Sequence, residues 1–178
     1  MDYFKANFFI LFLISTVQLS ASEPMIAELI KIQSSSQLLF RYKNTQFLCQ
    51  NYGVIDVDTM YNDTNISKEC RKRINDFYIY NPKSKNIAYY NFSIYQLYHV
   101  EIKNNKCLVF LKGSKTYSQY LIELGLAKPK PFFADKKYRQ RFKNAFYEAK
   151  LVKQGYHKNP FLKNCMNNYG ISDLNLRE

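Results

Sequence analysis

The chain has no tryptophan, and its 178 residues include only five glycines, five prolines and two histidines. With so little glycine and proline, and no regular period, collagen-like, low-complexity and solenoid architectures are excluded. There is no glycine-rich phosphate loop, no Ser/His/Asp order, no H-E-x-x-H and no C-x-x-C pair, and His99 and His157 are not spaced as zinc ligands. Acidic residues are scarce: 14 Asp and Glu stand against 26 Lys and Arg, a formal charge of +12. Such a balance normally points to nucleic acid, an anionic membrane or an acidic partner. Here the abundance of Asn, Lys, Ile, Tyr and Phe is the mix that an AT-rich genome produces, so the charge assigns no partner by itself. What is present is enough to build a core: 47% of residues are hydrophobic and 22% charged.

The first residues read as a leader. Met1 to Lys5 form a short n-region, residues 6–19 are an apolar run interrupted near its start by Asn7, and Ser20-Ala21-Ser22 supplies small residues for cleavage before Glu23. The run is short for a membrane span, which needs about 20 residues, and no later stretch is apolar enough to be one. The chain is therefore expected to be exported, periplasmic or secreted, with no transmembrane segment after signal cleavage. Export gives meaning to Cys49, Cys70, Cys107 and Cys165, an even set in an oxidising compartment. Two disulfides are expected, and three pairings remain open. A Cys–His nucleophile is disfavoured because the thiols are paired. Three Asn-x-Ser/Thr triplets begin at Asn62, Asn65 and Asn91, and Asp63-Thr64-Asn65-Ile66-Ser67 also matches the longer acidic acceptor pattern of some bacterial periplasmic glycosylation systems.

Along the chain, apolar runs at Met25 to Ile32, Leu38 to Tyr42, and Phe47 to Cys49 continued by Val54-Ile55 read as three strands, broken by turns at Ser34-Ser35-Ser36 and Asn44-Thr45. Asp63-Thr64-Asn65 offers a cap to a helix whose face is Ile66, Cys70, Ile74 and Phe77, stopped by Asn81-Pro82. Residues 95–102 and 107–111 read as a hairpin across Asn104-Asn105. Tyr117, Tyr120, Leu121 and Leu124 then share a helical face closed by Gly125. The clearest helix spans 136–154, with Phe142, Ala145, Phe146, Ala149 and Val152 inward and Gly155 at its end. Beyond His157 the periodicity fades. The expected fold is α+β, mainly β, with five strands and about three helices.

That order, with Leu121-Ile122-Glu123-Leu124-Gly125-Leu126-Ala127-Lys128 and the terminal run Phe142-Lys143-Asn144-Ala145-Phe146-Tyr147-Glu148-Ala149-Lys150 ahead of Gly155, resembles the staphylococcal-nuclease-like (thermonuclease) family. The resemblance implies a five-stranded OB-fold barrel over residues 23–157, after a signal peptide at 1–22 and before a C-terminal tail at 158–178. The family often has tryptophan just after that glycine; His157 stands there instead.

The same resemblance implies a calcium-dependent phosphodiesterase site, in which carboxylates hold the metal and orient water while arginine forks neutralise the phosphoryl oxygens. The family's carboxylate turn after the first strand corresponds to Ser34-Ser35-Ser36. Its Asp-Thr pair corresponds to Asp58-Thr59, its first arginine to Gly53, its glutamate to Tyr61 and its second arginine to Asn105 or Lys106. A lysine does not reproduce a bidentate guanidinium. Asp58, Thr59 and Lys106 are thus possible catalytic remnants, with Asp56 and Asp63 available to a rearranged site.

Basic residues crowd the terminal helix, from Lys128 and Lys130 to Lys150 and Lys153. Lys136, Lys137, Arg139 and Lys143 are its candidate nucleic-acid contacts. Alternation over 89–98 sets Tyr90, Phe92 and Tyr98 opposite Tyr89 and Tyr95, leaving one aromatic set for a partner or a nucleobase. The expected function is an exported non-catalytic thermonuclease-like module that binds a protein partner in an envelope assembly, without a cofactor. The alternatives are a secreted calcium-dependent nuclease with a rearranged site and a basic nucleic-acid-binding protein without catalysis.

Overall fold

The structure is a computed structural model that describes residues 24–170; the leader expected at 1–22 lies outside the described residues. It is α+β, organised on an antiparallel five-stranded sheet of order β3-β2-β1-β5-β6. Strand β1 (Met25–Ser34) turns Ala27, Leu29 and Ile32 inward, and β2 (Gln37–Tyr42) does the same with Leu38 and Phe40. The serine turn between them and β3 (Thr45–Gln50) complete a meander. Strand β5 (Leu97–Lys103) pairs with the first half of β1 and, through a two-residue turn, with β6 (Lys106–Val109). Asn104 and Asn105 sit at φ 48° and 58°, the left-handed pair that matches the twist of a tight hairpin and that asparagine tolerates best after glycine.

The two edge strands meet at one parallel bridge, Asn51 to Cys107, where the Tyr52 N–H donates to the Cys107 carbonyl at 3.0 Å. Cys49 and Cys107 stand at disulfide distance beside it, with Cα atoms 5.3 Å apart. Val54-Ile55 does not continue the third strand as expected. Gly53 breaks it at φ +75°, with Phe133 so close that an added Cβ would lie 2.5 Å from its ring. The chain then forms a separate two-stranded sheet, β4 (Val54–Asp56) with β7 (Ala127–Pro129).

Among the described residues, seven helices stand where periodicity indicates about three, and they hold more residues than the strands do. Helices α1 (Val57–Asn62), α3 (Pro82–Lys85) and α4 (Ile87–Asn91) span six residues or fewer, too short to display a helical repeat. Helix α2 (Lys68–Tyr80) starts on Ser67, whose hydroxyl accepts from the Cys70 N–H, rather than on residues 63–65. Helix α5 (Tyr117–Glu123) is capped by Thr116, and α6 (Lys136–Leu151) by Asp135. Because α6 ends at Leu151, Val152 faces solvent rather than the core. Within the stretch where periodicity fades, Asn159 caps α7 (Pro160–Asn168), with Pro160 at the first position. Cys70 and Cys165 join α7 to α2, with Cα atoms 5.7 Å apart. Of the three open pairings, the fold selects 49–107 and 70–165.

The two glycines in the family-like segments meet each other. The Tyr156 N–H donates to the Gly125 carbonyl at 2.9 Å, and a Cβ on Gly125 would lie 2.1 Å from the Gln154 carbonyl. Both glycines have positive φ, so backbone shape and close approach each require the missing side chain.

Candidate functional site

The serine turn at 35–36 is the hub around which the aspartates gather. Ser36 donates to Asp58 Oδ2 twice, from its N–H at 3.0 Å and its hydroxyl at 2.8 Å. The buried Ser35 carbonyl accepts from the Tyr117 hydroxyl at 3.1 Å. Asp56 is buried as the N-cap of α1, accepting from the Thr59 N–H at 2.7 Å and the Asn51 amide at 3.1 Å. Burial pushes its carboxyl pKa up, against the pull of those two donors.

Beside this hub lies a cleft of about 620 Å³, lined among others by Ser36, Asn51, Thr59, Asp63, Lys106 and Lys130. Thr59 comes from α1, Lys106 from the start of β6, and Lys130 follows β7. Lys106 is held below the ordinary lysine range first by burial and then by the charge of Lys130, with Asp56 pulling the other way. Among the described residues neither lysine forms an ion pair. Asp63, across the cleft, accepts from the Tyr169 hydroxyl at 2.5 Å and from the Asn65 N–H at 2.9 Å, and these bonds hold its pKa down. Phe132 stands in the loop that follows Lys130, 85% exposed and at φ 53°, a conformation that costs a bulky residue energy.

Of the sequence candidates, Thr59 and Lys106 share this cleft. Asp58 lies next to it, its carboxylate turned to Ser36 and bordering a narrow crevice with Ser35, Asp56 and Tyr78. Gly53 is buried under Phe133 and Phe142. Tyr61 packs edge-on against Tyr78, with centroids 6.0 Å apart, and borders a shallow surface with Thr64 and Ile66.

Calcium takes six to eight oxygen ligands; here Asp56 has both carboxylate oxygens bonded to Asn51 and Thr59, and Asp58 accepts from Ser36 through Oδ2. Among the described residues no three His, Cys, Asp or Glu side chains cluster as metal ligands. Lys130 was grouped in the sequence with the terminal helix, and only the β4–β7 pairing carries it to Lys106. The Lys128-Pro129-Lys130-Pro131 run, stiff and doubly basic, is the local signal that marks it.

The basic residues around α6 differ in their partners. Lys136, Lys137, Arg139 and Lys143 are exposed. Lys137 reaches Glu101 at 3.4 Å, however, and Lys143 lies 5.8 Å from the Tyr147 ring centre. Lys128 is buried, its ammonium donating to the carbonyls of Asn167 and Tyr169 at 3.3 and 2.9 Å, where it ties down the end of α7. Glu101, also buried, accepts from Tyr138 at 2.5 Å and pairs with Lys103 at 3.0 Å, and Lys103 pairs in turn with Asp135 at 2.7 Å. This network joins β5 to α6. Residues 89–98 are not a strand throughout: Tyr89 and Tyr90 sit on α4 and both are exposed, as is Tyr95, while Phe92 is buried against Tyr117 and Tyr98.

Among the described residues no helix is long and apolar enough to cross a membrane. Compared with known proteins, the chain matches no family model and no curated protein sequence.

Proposed function

We propose that this protein is an exported, non-catalytic interaction module built on an OB-type barrel and related to the thermonucleases. The barrel reading is supported by the strand order and by the parallel bridge that joins its two edges at Asn51 and Cys107. Export is supported by two cysteine pairs at disulfide distance, which oxidising compartments favour.

The observation that carries the functional reading is the bonding of Asp58. Its Oδ2 accepts twice from Ser36, and the cations in the neighbouring cleft are two lysines without a guanidinium among the lining residues. A point charge can bind an anionic group, but it does not hold a phosphoryl transition state in bidentate geometry. The cleft therefore serves binding, and its ligand is an anionic group on a protein partner within an envelope assembly.

The test is an assay with calcium on single- and double-stranded DNA, run with the protein and its Asp58→Ala variant. No cleavage by either is the expected result. Turnover abolished by Asp58→Ala would overturn the reading in favour of a rearranged nuclease. A second reading, nucleic-acid binding without catalysis, is favoured by the exposed Phe132 ring next to the lysine cleft. It requires affinity for single strands that falls steeply with salt, whereas a protein partner held through the cleft and neighbouring aromatic surface stays bound at salt that strips nucleic acid.

A further inference from the structure

The three Asn-x-Ser/Thr triplets are equivalent as sequence, and the fold separates them. Asn91 closes α4, where its amide donates to the Ile87 carbonyl at 2.7 Å and the next residue, Phe92, is buried. Asn62 closes α1, with its amide donating to the Asp58 carbonyl at 2.9 Å. Asn65 belongs to the connection between α1 and α2, is exposed, and has a side-chain amide that donates to no group among the described residues. Its backbone N–H donates instead to Asp63 Oδ1, two residues earlier, a local turn in which an aspartate side chain replaces a backbone acceptor. Ser67 accepts from the Cys70 N–H through its hydroxyl oxygen, which leaves the hydroxyl proton available to a visiting group.

We infer that Asn65 is an N-glycosylation acceptor whose donor is an oligosaccharide linked to a lipid diphosphate. Asn65 Nδ2 attacks the anomeric carbon of the first sugar and an N–C bond forms. The bond from that carbon to the diphosphate oxygen breaks, the lipid diphosphate leaves with the electron pair, and one amide proton passes to the transferase's base. A carboxamide nitrogen is a poor nucleophile because its lone pair is delocalised, so the transferase must turn it freely. An amide already held to a helix carbonyl, as in Asn62 and Asn91, resists that; Asn65 does not. The acidic Asp63, two residues before the acceptor, completes the extended acceptor pattern. Asn65 also lines the cleft of Lys106 and Lys130, so a glycan attached there stands on its rim. This inference rests on the export reading, since the acceptor must meet the donor outside the cytoplasm.

The experiment is intact-mass measurement of the full chain isolated from the cells that make it, for the natural protein and four variants. The expected result is a mass above that of residues 23–178 by one glycan. That excess is lost in Asn65→Gln and in Ser67→Asn, and retained in Asn62→Gln and Ser67→Thr. Ser67→Asn keeps a capping side chain on α2 while destroying the acceptor triplet, so its loss of the glycan cannot be assigned to a lost cap. A chain processed to residue 23 and disulfide-bonded, but without added mass, overturns the glycan while leaving export intact. Added mass that survives Asn65→Gln overturns the site. A chain that keeps residues 1–22 and four free thiols overturns export and this inference together.

Discussion

Replacing His157 with phenylalanine should remove a specific acid sensitivity. His157 lies in the short 3-10 turn Gly155–Lys158, its ring 4.1 Å from that of Tyr156 and 5.4 Å from that of Phe146, centre to centre. Among the described residues neither ring nitrogen has a hydrogen-bond partner. Burial first, then the charges of Lys163 and Lys150, push its pKa down from 6.5 to about 4. Above the unfolded value both states are neutral and the group has no effect on stability. Between 6.5 and about 4 the unfolded chain binds a proton that the folded chain refuses, so stability falls as pH is lowered. The full shift amounts to about 2 kcal/mol at about pH 5, and water reaching the ring edge reduces this to between about 1 and 2 kcal/mol. Urea unfolding of the natural protein and His157→Phe, at about pH 7.5 and about pH 5, measures the difference directly. Asp56, whose raised pKa gives a slope of opposite sign in part of this range, is common to both proteins and cancels. If the two proteins lose the same stability between those conditions, the account of a neutral, partnerless imidazole in the core is refuted.

Gly125→Ala forces a Cβ to within 2.1 Å of the Gln154 carbonyl at a φ of +61°. It should cost about 3 kcal/mol or more in chemical unfolding, where an exposed glycine would cost far less. Tyr138→Phe takes the hydroxyl donor from the buried Glu101, for an expected loss of about 1.5 to 3 kcal/mol. Desolvation works to raise the pKa of Glu101, but Tyr138 and Lys103 outweigh it and hold it down. That stabilisation is present above the ordinary carboxylate range and is lost as pH falls through the lowered value, so the variant should show a shallower acid transition. Replacing Cys70 and Cys165 together by serine opens a crosslink between residues separated by 95 positions. It should cost about 4 kcal/mol, with hydrogen exchange accelerating first in α7.

The features legible from sequence were those whose cause is local. Asn104-Asn105 marks its hairpin because few other side chains tolerate two successive left-handed residues. The apolar face of α6 declares itself because four turns suffice to show a helical period, whereas α1, α3 and α4 are too short to show one. The even number of cysteines implied bonds, but which sulfur meets which was settled only when β6 came beside β3 and α7 beside α2. The candidate site divides in the same way. Asp58 and Lys106 could be picked out only through the resemblance that sets them at the family's site positions. That Asp58 Oδ2 is held by a serine turn 22 residues earlier, and that Lys130 joins Lys106 in one cleft, depend on strand pairings far apart in the chain. A periodic pattern states which face of an element is apolar; it carries no record of the other element that will cover it, and that meeting decides which charges remain free to bind.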